Sequence, residues 1–368
     1  MSAASTTTPI QLLVMEGDGI GPEITAATLR VLEAAARAFA LPLSFDSAAV
    51  GFAALSASGT TFPDSALDQA KRAAGVILGP VSHNDYPPAA KGGLNPSGEL
   101  RKRLDLYANI RPARSRDGFS PRCGRPVDLI IVRENTEGFY ADRSMFMGPG
   151  EFMPTPDLAL SVRKISRSGS TRIAESAFRL ARRRRRKVTA VHKGNVLRVS
   201  DGLFLECVRA VAKAYPDVTY EERIVDAMAA LLIRDASQFD VVVTTNMFGD
   251  ILSDEASEIA GSLGLAASIN AGADHAVAQA QHGSAPDIAG QDKANPSSLI
   301  GSAAMLLNWL GERRSDDRLT KAGTAIEVAL DAVIARPQGR TVDLGGTLGT
   351  RAFAEQVAAQ IGAVKSVA

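Results

Sequence analysis

The pattern that most constrains this chain is a short apolar run that stops abruptly in a loop dense with glycine, charge and amide. Ile10–Met15 runs into Glu16-Gly17-Asp18-Gly19-Ile20-Gly21-Pro22, and Val76-Ile77-Leu78 runs into Gly79. Val127–Val132 meets Arg133-Glu134-Asn135-Thr136-Glu137-Gly138, and Val188–Val191 meets His192-Lys193-Gly194-Asn195. Val241-Val242-Val243-Thr244-Thr245 meets Asn246-Met247-Phe248-Gly249-Asp250. Runs of this length without polar alternation predict strands buried on both faces. Leu43–Val50 is a further strand candidate. Between such runs lie amphipathic stretches such as the Ala-rich Glu23–Phe39, a predicted helix with Pro22 suited to its first turn. Strands alternating with helices mean an α/β architecture, in which chemistry gathers just past the strand C-termini.

A chain of 368 residues is long enough for one large or two intimate domains. Its residues are 45% hydrophobic and only 5% aromatic, so the core must be filled by aliphatic side chains and alanine. The formal net charge of +1 excludes a whole-chain basic field for a polyanion. Cys123 and Cys207 make no disulfide framework or zinc spacing and read as buried thiols of a cytoplasmic protein. No stretch approaches the ~20 uncharged apolar residues of a membrane span. Met1–Pro9 reads as a disordered tail rather than a signal peptide. Residues 312–318, a mixed charge run, read as an exposed loop between helices.

Several motifs carry chemistry. Gly17, Gly19 and Gly21 bring the third glycine one residue too early for G-x-G-x-x-G, so a tight turn at a strand–helix junction is the better reading. Asp250 and Asp254 stand four apart and share one helix face. Two carboxylates so placed repel unless a cation lies between them, and a hard divalent ion takes oxygen ligands. Asp226, an acid amid apolar residues, is a candidate third ligand. Arg101 and Arg111, with Arg133, suit a guanidinium clamp for a di- or tricarboxylate, because planar forks match carboxylates. Lys193 follows an apolar strand and is a candidate base, and Tyr140 is a candidate proton donor. His282-Gly283-Ser284-Ala285-Pro286-Asp287 places small residues beside one acid, as a phosphate and ribose diol require. Arg182–Lys187 is six consecutive cations, but without aromatic interleaving and at the end of a predicted helix, where cations suit the dipole, it does not read as a nucleic-acid patch.

Together these motifs, in this order, resemble the β-decarboxylating dehydrogenases that act on isocitrate, isopropylmalate, homoisocitrate, tartrate and D-malate. The resemblance runs from Gly17 to about Phe353 and includes Leu100-Arg101 through Asn109-Ile110-Arg111-Pro112 and Val132–Gly138. It implies an isocitrate/isopropylmalate dehydrogenase-like two-domain α/β fold, not a Rossmann fold of the G-x-G-x-x-G kind. Residues 1–110 and 264–368 would form a large discontinuous cofactor domain, and 111–263 a smaller inserted domain. It further implies a homodimer or higher oligomer; the composition readings above add a cytoplasmic location and no nucleic-acid or membrane partner. Each site would borrow the partner subunit's Lys193 and the partner subunit's Asp226.

The same resemblance implies the roles. Arg101, Arg111 and Arg133 would hold substrate carboxylates, with Asn95, Ser97 and Tyr140 lining the same pocket. Asp250, Asp254 and the partner subunit's Asp226 would hold Mg²⁺ or Mn²⁺. Lys193 would take the hydroxyl proton, and Tyr140 would return one to carbon. Ile20, His282, Gly283, Ser284, Ala285, Asp287 and Asn295 would bind the cofactor. Relatives that use NADP carry Lys-Tyr where Asp287-Ile288 stand here; an acid repels a 2′-phosphate, so NAD is expected. The segment Asn95-Pro96-Ser97-Gly98-Glu99 is polar where isopropylmalate enzymes carry leucines, which favours an isocitrate-like tricarboxylate. Arg101–Arg111 is nearest to homoisocitrate enzymes, so 3-isopropylmalate, homoisocitrate, tartrate and D-malate stay open, as does a non-catalytic regulatory subunit. One departure stands out: Gln279 replaces the glutamate of the usual Glu-Pro-x-His-Gly run, which is expected to weaken NAD binding or alter the substrate.

Overall fold

The computed structural model describes residues 9–140, 145 and 149–365, with side chains as far as 362. Apart from Pro9, the expected N-terminal tail lies outside the described residues. Two compact units emerge, one of Met1–Ser97, Ala267–Ile269 and His275–Ala368, the other of Gly98–Ala266 and Asn270–Asp274.

The chain enters the first unit through β1 (Ile10–Met15), α1 (Gly21–Phe39), β2 (Leu43–Ser47), α2 (Gly51–Ser58), α3 (Asp64–Arg72) and β3 (Gly75–Leu78). Helix α4 (Pro96–Arg103) carries the boundary. The second unit holds β4 (Ala108–Arg114), β5 (Asp128–Glu134), the hairpin β6 (Glu151–Thr155) and β7 (Leu158–Ser161), and α5 (Arg167–Arg182). It continues through β8 (Lys187–His192), α6 (Ser200–Ala212), β9 (Thr219–Ile224), α7 (Val225–Asp235), β10 (Val241–Thr244) and α8 (Asn246–Ala260). After β11 (Ile269–Ala271) the first unit is completed by β12 (Ala276–Gln279), α9 (Ser297–Arg314), α10 (Asp317–Ile334) and α11 (Thr350–Lys365).

In the first unit β1 pairs with β2 and β3, and β3 with β12, all parallel. Helix α1 buries Ile24, Ala27, Val31, Leu32 and Ala35, spaced three and four apart. Pro22 sits in its first turn as expected. Helix α9 is buried all round, through Leu299, Ile300, Ala303, Leu306, Leu307 and Leu310, because β12 and α10 both pack on it. Full burial of each such Leu or Ile is worth about 1.5–3 kcal/mol. The strand expected over Leu43–Val50 stops at Ser47, since Gly51 takes a positive φ of 69° and opens α2.

The charge run 312–318 is not a loop. Helix α9 continues to Arg314 and α10 begins at Asp317. Only Ser315, in the left-handed conformation, and Asp316 lie between them, and the Asp316 side chain caps α10 by accepting from Arg318 N at 3.0 Å. Charge misleads here because Glu and Arg are good helix formers on a solvated face.

In the second unit β4 and β5 run antiparallel, and β5, β10, β8 and β9 continue the sheet in parallel. Alternate residues feed opposite cores. Ile130, Val132, Val188, Ala190, Val241 and Val243 meet Ile173 and Phe178 of α5 and Phe204 of α6. Leu129, Ile131, Val191 and Val242 meet Met228 and Leu232 of α7 and Leu252 and Ala256 of α8. That double burial is why these strands read as unbroken apolar runs.

The arginine run starts at the end of a helix as expected, and several of its exposed side chains also find acidic partners. Arg182 ends α5, bonds Asp217 at 2.7 Å and lies over the Tyr215 ring. Arg184 reaches Asp240 and Asp128, each at 2.8 Å, and Arg185 reaches the Asp128 carbonyl at 2.8 Å. Cys207 is buried as expected, but Cys123 is only half-buried, because it sits in the turn leading to β5. Among the described residues no helix is long and apolar enough to cross a membrane.

Candidate active site

In the second unit, Arg111 on β4 and Arg133 on β5 lie on neighbouring antiparallel strands, with Arg111 opposite Ile131 and Arg133 opposite Asn109. Their side chains are 8% and 2% exposed. Both meet α8, which starts immediately after β10. Arg111 Nη1 donates to Asp250 Oδ1 at 3.1 Å, to Ser253 Oγ at 2.7 Å and to Asp254 Oδ1 at 3.2 Å. Arg133 donates to Asn246 Oδ1 at 3.0 and 2.7 Å and pairs with Asp250 through Nη1. A Cβ on Gly249 would fall 2.6 Å from Arg133 Cγ, so only glycine lets α8 lie over this side chain. Tyr140 OH donates to Asp250 Oδ2 at 3.3 Å, and its ring faces the Arg133 guanidinium.

This crowding shifts the ionisations. Burial, then repulsion from Arg133, pulls Arg111 down to about 10. Burial alone would raise Asp250, but Arg133, Arg111 and Arg101 outweigh it and hold the carboxyl below its ordinary value. The predicted residues Arg101, Arg111, Arg133, Tyr140, Asp250 and Asp254 therefore belong to one electrostatic cluster.

Lys193 and Asp226 pair with each other instead. Lys193 follows β8, Asp226 lies in the first turn of α7, and Nζ meets Oδ1 at 2.7 Å. The Lys193 hydrogen bond holds Asp226 below its ordinary carboxyl value. Among the described residues no three His, Cys, Asp or Glu side chains gather as a metal set, so Asp226 does not join Asp250 and Asp254 within one chain.

In the first unit, β1 turns into α1 through Gly17 and Gly19, both at positive φ, the tight turn the spacing suggested. Ile20 N donates to Ser284 O at 2.8 Å, which brings together two residues far apart in the chain. A Cβ added to Gly283 would meet nothing within 4 Å, and Asp287 is exposed beside it. His282 Nδ1 lies 3.0 Å from Gly283 O, while its buried Nε2 has no hydrogen-bond partner among the described residues; burial holds the ring below its ordinary pKa. Asn295 spends its amide otherwise: Nδ2 donates to Asp343 at 2.9 Å and Oδ1 accepts from Ser297 N at 3.0 Å, at the start of α9. Ser97 Oγ donates to Gln279 Oε1 at 2.9 Å, so the amide that replaces the usual acid forms a neutral pair with a predicted substrate residue. Ser97 and Arg101 stand one turn apart on α4, and Asn95 directly precedes that helix.

Sequence reasoning passed over the supporting polar groups. Asn246 and Ser253 receive the arginines. Buried Asn270 accepts from Asn109 at 3.1 Å and Asn135 at 3.0 Å, tying β4 to the end of β5. Asp201, wholly buried, accepts from Lys193 N at 2.5 Å and from Arg163, and so fixes the lysine's backbone. A signal existed for Asn246, an amide at a strand end; Asp201, in the first turn of α6, resembles an ordinary dipole-stabilising acid.

Comparison with known proteins agrees with this geometry. The family model described as isocitrate/isopropylmalate dehydrogenase matches residues 11–357. An isocitrate/homoisocitrate dehydrogenase of Thermus thermophilus is 43% identical over 349 residues, covering 94% of this chain and 97% of the relative. A 3-isopropylmalate dehydrogenase of Sulfurisphaera tokodaii is 40% identical, covering 95% and 98%. The crystal structure of isocitrate dehydrogenase from Methylococcus capsulatus matches with a TM-score of 0.84 at 39% identity, covering 96% of this chain and 99% of that one. A fold, a cluster of guanidiniums and carboxylates, and a match over nearly the whole length agree: the chain belongs to the isocitrate/isopropylmalate dehydrogenase family of oxidative decarboxylating dehydrogenases, which depend on NAD(P) and a divalent metal.

Proposed function

We propose that this enzyme oxidises and decarboxylates a 2-hydroxy tricarboxylate of the isocitrate type, with NAD as acceptor and Mg²⁺ or Mn²⁺ as metal. The observation that carries the reading is the contact between two buried arginines and two aspartates one helical turn apart. Each guanidinium is held by an acid that a hard cation would also take, so Asp250 and Asp254 would hold such an ion and leave Arg111 and Arg133 free to bind substrate carboxylates. The donor set is all oxygen and fits such an ion. The orphaned Nε2 of His282 and the open space at Gly283 fit a dinucleotide.

The first unit would then be the cofactor domain and the second the substrate and metal domain. Arg101, Arg111 and Arg133 orient the acid, and Asn95 and Ser97 of the first unit are proposed as further substrate residues. The partner subunit's Lys193 takes the proton of the 2-hydroxyl as that carbon is oxidised. Tyr140 then donates to the carbon left when CO₂ departs. When bound, NAD supplies the hydride acceptor and the divalent cation supplies Lewis acidity at the 2-hydroxyl and its carboxylate. A homodimer is supported by the Lys193–Asp226 pair standing apart from the cluster. Phe152, Met153, Leu158 and Leu160 on the hairpin, with Ile251 on α8, are exposed apolar side chains that a partner would cover. Asp287 favours NAD. Two free thiols favour the cytoplasm.

The identity to a 3-isopropylmalate dehydrogenase keeps that acid as the second reading. NADH formation from isocitrate, homoisocitrate, 3-isopropylmalate, D-malate and tartrate, with Mn²⁺ and again with EDTA, decides among them. Metal-dependent turnover of isocitrate with NAD is expected. Turnover of 3-isopropylmalate alone sinks the tricarboxylate reading, and undiminished turnover in EDTA sinks the metal.

A further inference from the structure

A carboxylate that no proposed step uses lies buried in the glycine loop of the first unit. Asp18, between Gly17 and Gly19, is 6% exposed, and no cation is its partner among the described residues. Three neutral donors from two other segments converge on it. Phe52 N reaches Oδ1 at 2.8 Å, Ser82 N reaches Oδ2 at 2.9 Å, and Tyr86 OH also donates to Oδ2. The Phe52 and Tyr86 rings pack edge to face at 5.0 Å. Gly51 has a φ of +69°, and a Cβ there would fall 2.3 Å from Asp18 Oδ1. A buried charge held by fixed donors is a rigid junction, because each donor loses its partner if the carboxylate moves.

The junction leads to one place. Ser82, held at its N–H by Asp18, shares a 2.7 Å hydrogen bond with the Ser284 hydroxyl. On the other side of Asp18, Gly19 packs so closely that a Cβ would lie 2.1 Å from Ser284 O, and Ile20 N donates to that same oxygen at 2.8 Å. Ser284 is thus gripped at its hydroxyl and its carbonyl, and both grips trace back to Asp18. We propose that Asp18, acting through Ser82 and Ile20, is the positioning residue that sets the Ser284 segment for dinucleotide binding. This rests on the cofactor reading of Gly283–Asp287.

The test is NADH binding to the full-length enzyme by fluorescence titration, alongside steady-state kinetics. Ser82→Ala keeps the N–H to Asp18 and removes only the hydroxyl link, so the NADH Kd and the KM for NAD should rise about tenfold with kcat little changed. Ser82→Thr, which restores the hydroxyl, should recover most of the affinity. Asp18→Asn puts an amide N–H against one of the three donors and should weaken NADH at least as much; where it fails to fold, the Ser82 pair decides. Unchanged NADH affinity in Ser82→Ala overturns the proposal, as does a loss that Ser82→Thr does not recover. A wild-type enzyme that binds no NADH overturns the cofactor reading and this proposal with it.

Discussion

The two units hold their central carboxylates in opposite ways. In the second, Asp250 is surrounded by Arg111 and Arg133 and stays partly open to solvent, at 37% side-chain exposure. In the first, Asp18 is sealed and bonded only by neutral donors. A carboxylate held by long, charged side chains can exchange partners when another ion arrives, since both guanidiniums find new anions. One held by backbone N–H groups cannot, because those donors have no second acceptor. Under the proposed function the arginine–aspartate cluster rearranges around ligands, whereas the glycine-loop junction is held rigid by its fixed donors.

Mutations can break that contrast, and the largest effect belongs to the second unit. Lys193→Ala should lower kcat by roughly 10²–10⁴-fold, the usual range for a general base. Its exposed partner Asp226 makes the thermal midpoint nearly insensitive to the change, and full turnover would remove Lys193 from the chemistry. Arg133→Lys keeps the charge but loses the two-nitrogen grip on Asn246. A charge-assisted bond is worth about 1.5–3 kcal/mol, so substrate KM should rise about ten- to hundredfold, while the NADH Kd stays put. Equal losses for both ligands would mean that the two regions are not energetically separate.

Two glycines sharpen the comparison by stability alone. Gly249→Ala drives a methyl into Arg133 and should destabilise the fold by about 1–3 kcal/mol in urea unfolding. Gly283→Ala meets open space, so unfolding should move by no more than about 0.5 kcal/mol, with any loss confined to cofactor affinity. A smaller effect comes from pH. Burial holds His192 in the second unit and His282 in the first below the ordinary histidine value of 6.5. Well above 6.5 both rings are neutral, folded or unfolded. As the pH falls below 6.5, the unfolded chain takes up protons that the folded chain resists, so stability falls toward the depressed folded values. Urea midpoints at pH 7.5 and pH 5.5 should differ in this direction, and His282→Gln should reduce the difference. A midpoint that rises on acidification contradicts it.

Much of this protein is legible in its residues. Unbroken apolar runs ending in polar loops state a parallel, doubly covered sheet, and the described strands β3, β5, β8 and β10 coincide with those runs to within a residue or two. The spacing of Asp250 and Asp254 states a shared helix face, and the early third glycine argues against a Rossmann loop. What stays hidden is every relation between distant residues. The charge run at 312–318 looks like a loop because sequence shows charge but not the helix surface that solvates it. The six cations from Arg182 show no partners in the sequence because Asp217, Asp128 and Asp240 lie far along the chain.

Local preferences and strand periodicity act over a few residues, so the sequence alone determines the elements, their order and the candidate chemistry at their ends. Only the tertiary structure decides that Asn246 and Ser253 receive the arginines, that Lys193 and Asp226 face each other, and that Asp18 holds Ser82. Those contacts depend on how whole helices and strands pack, and a buried polar group takes whichever partner that packing brings within hydrogen-bond reach.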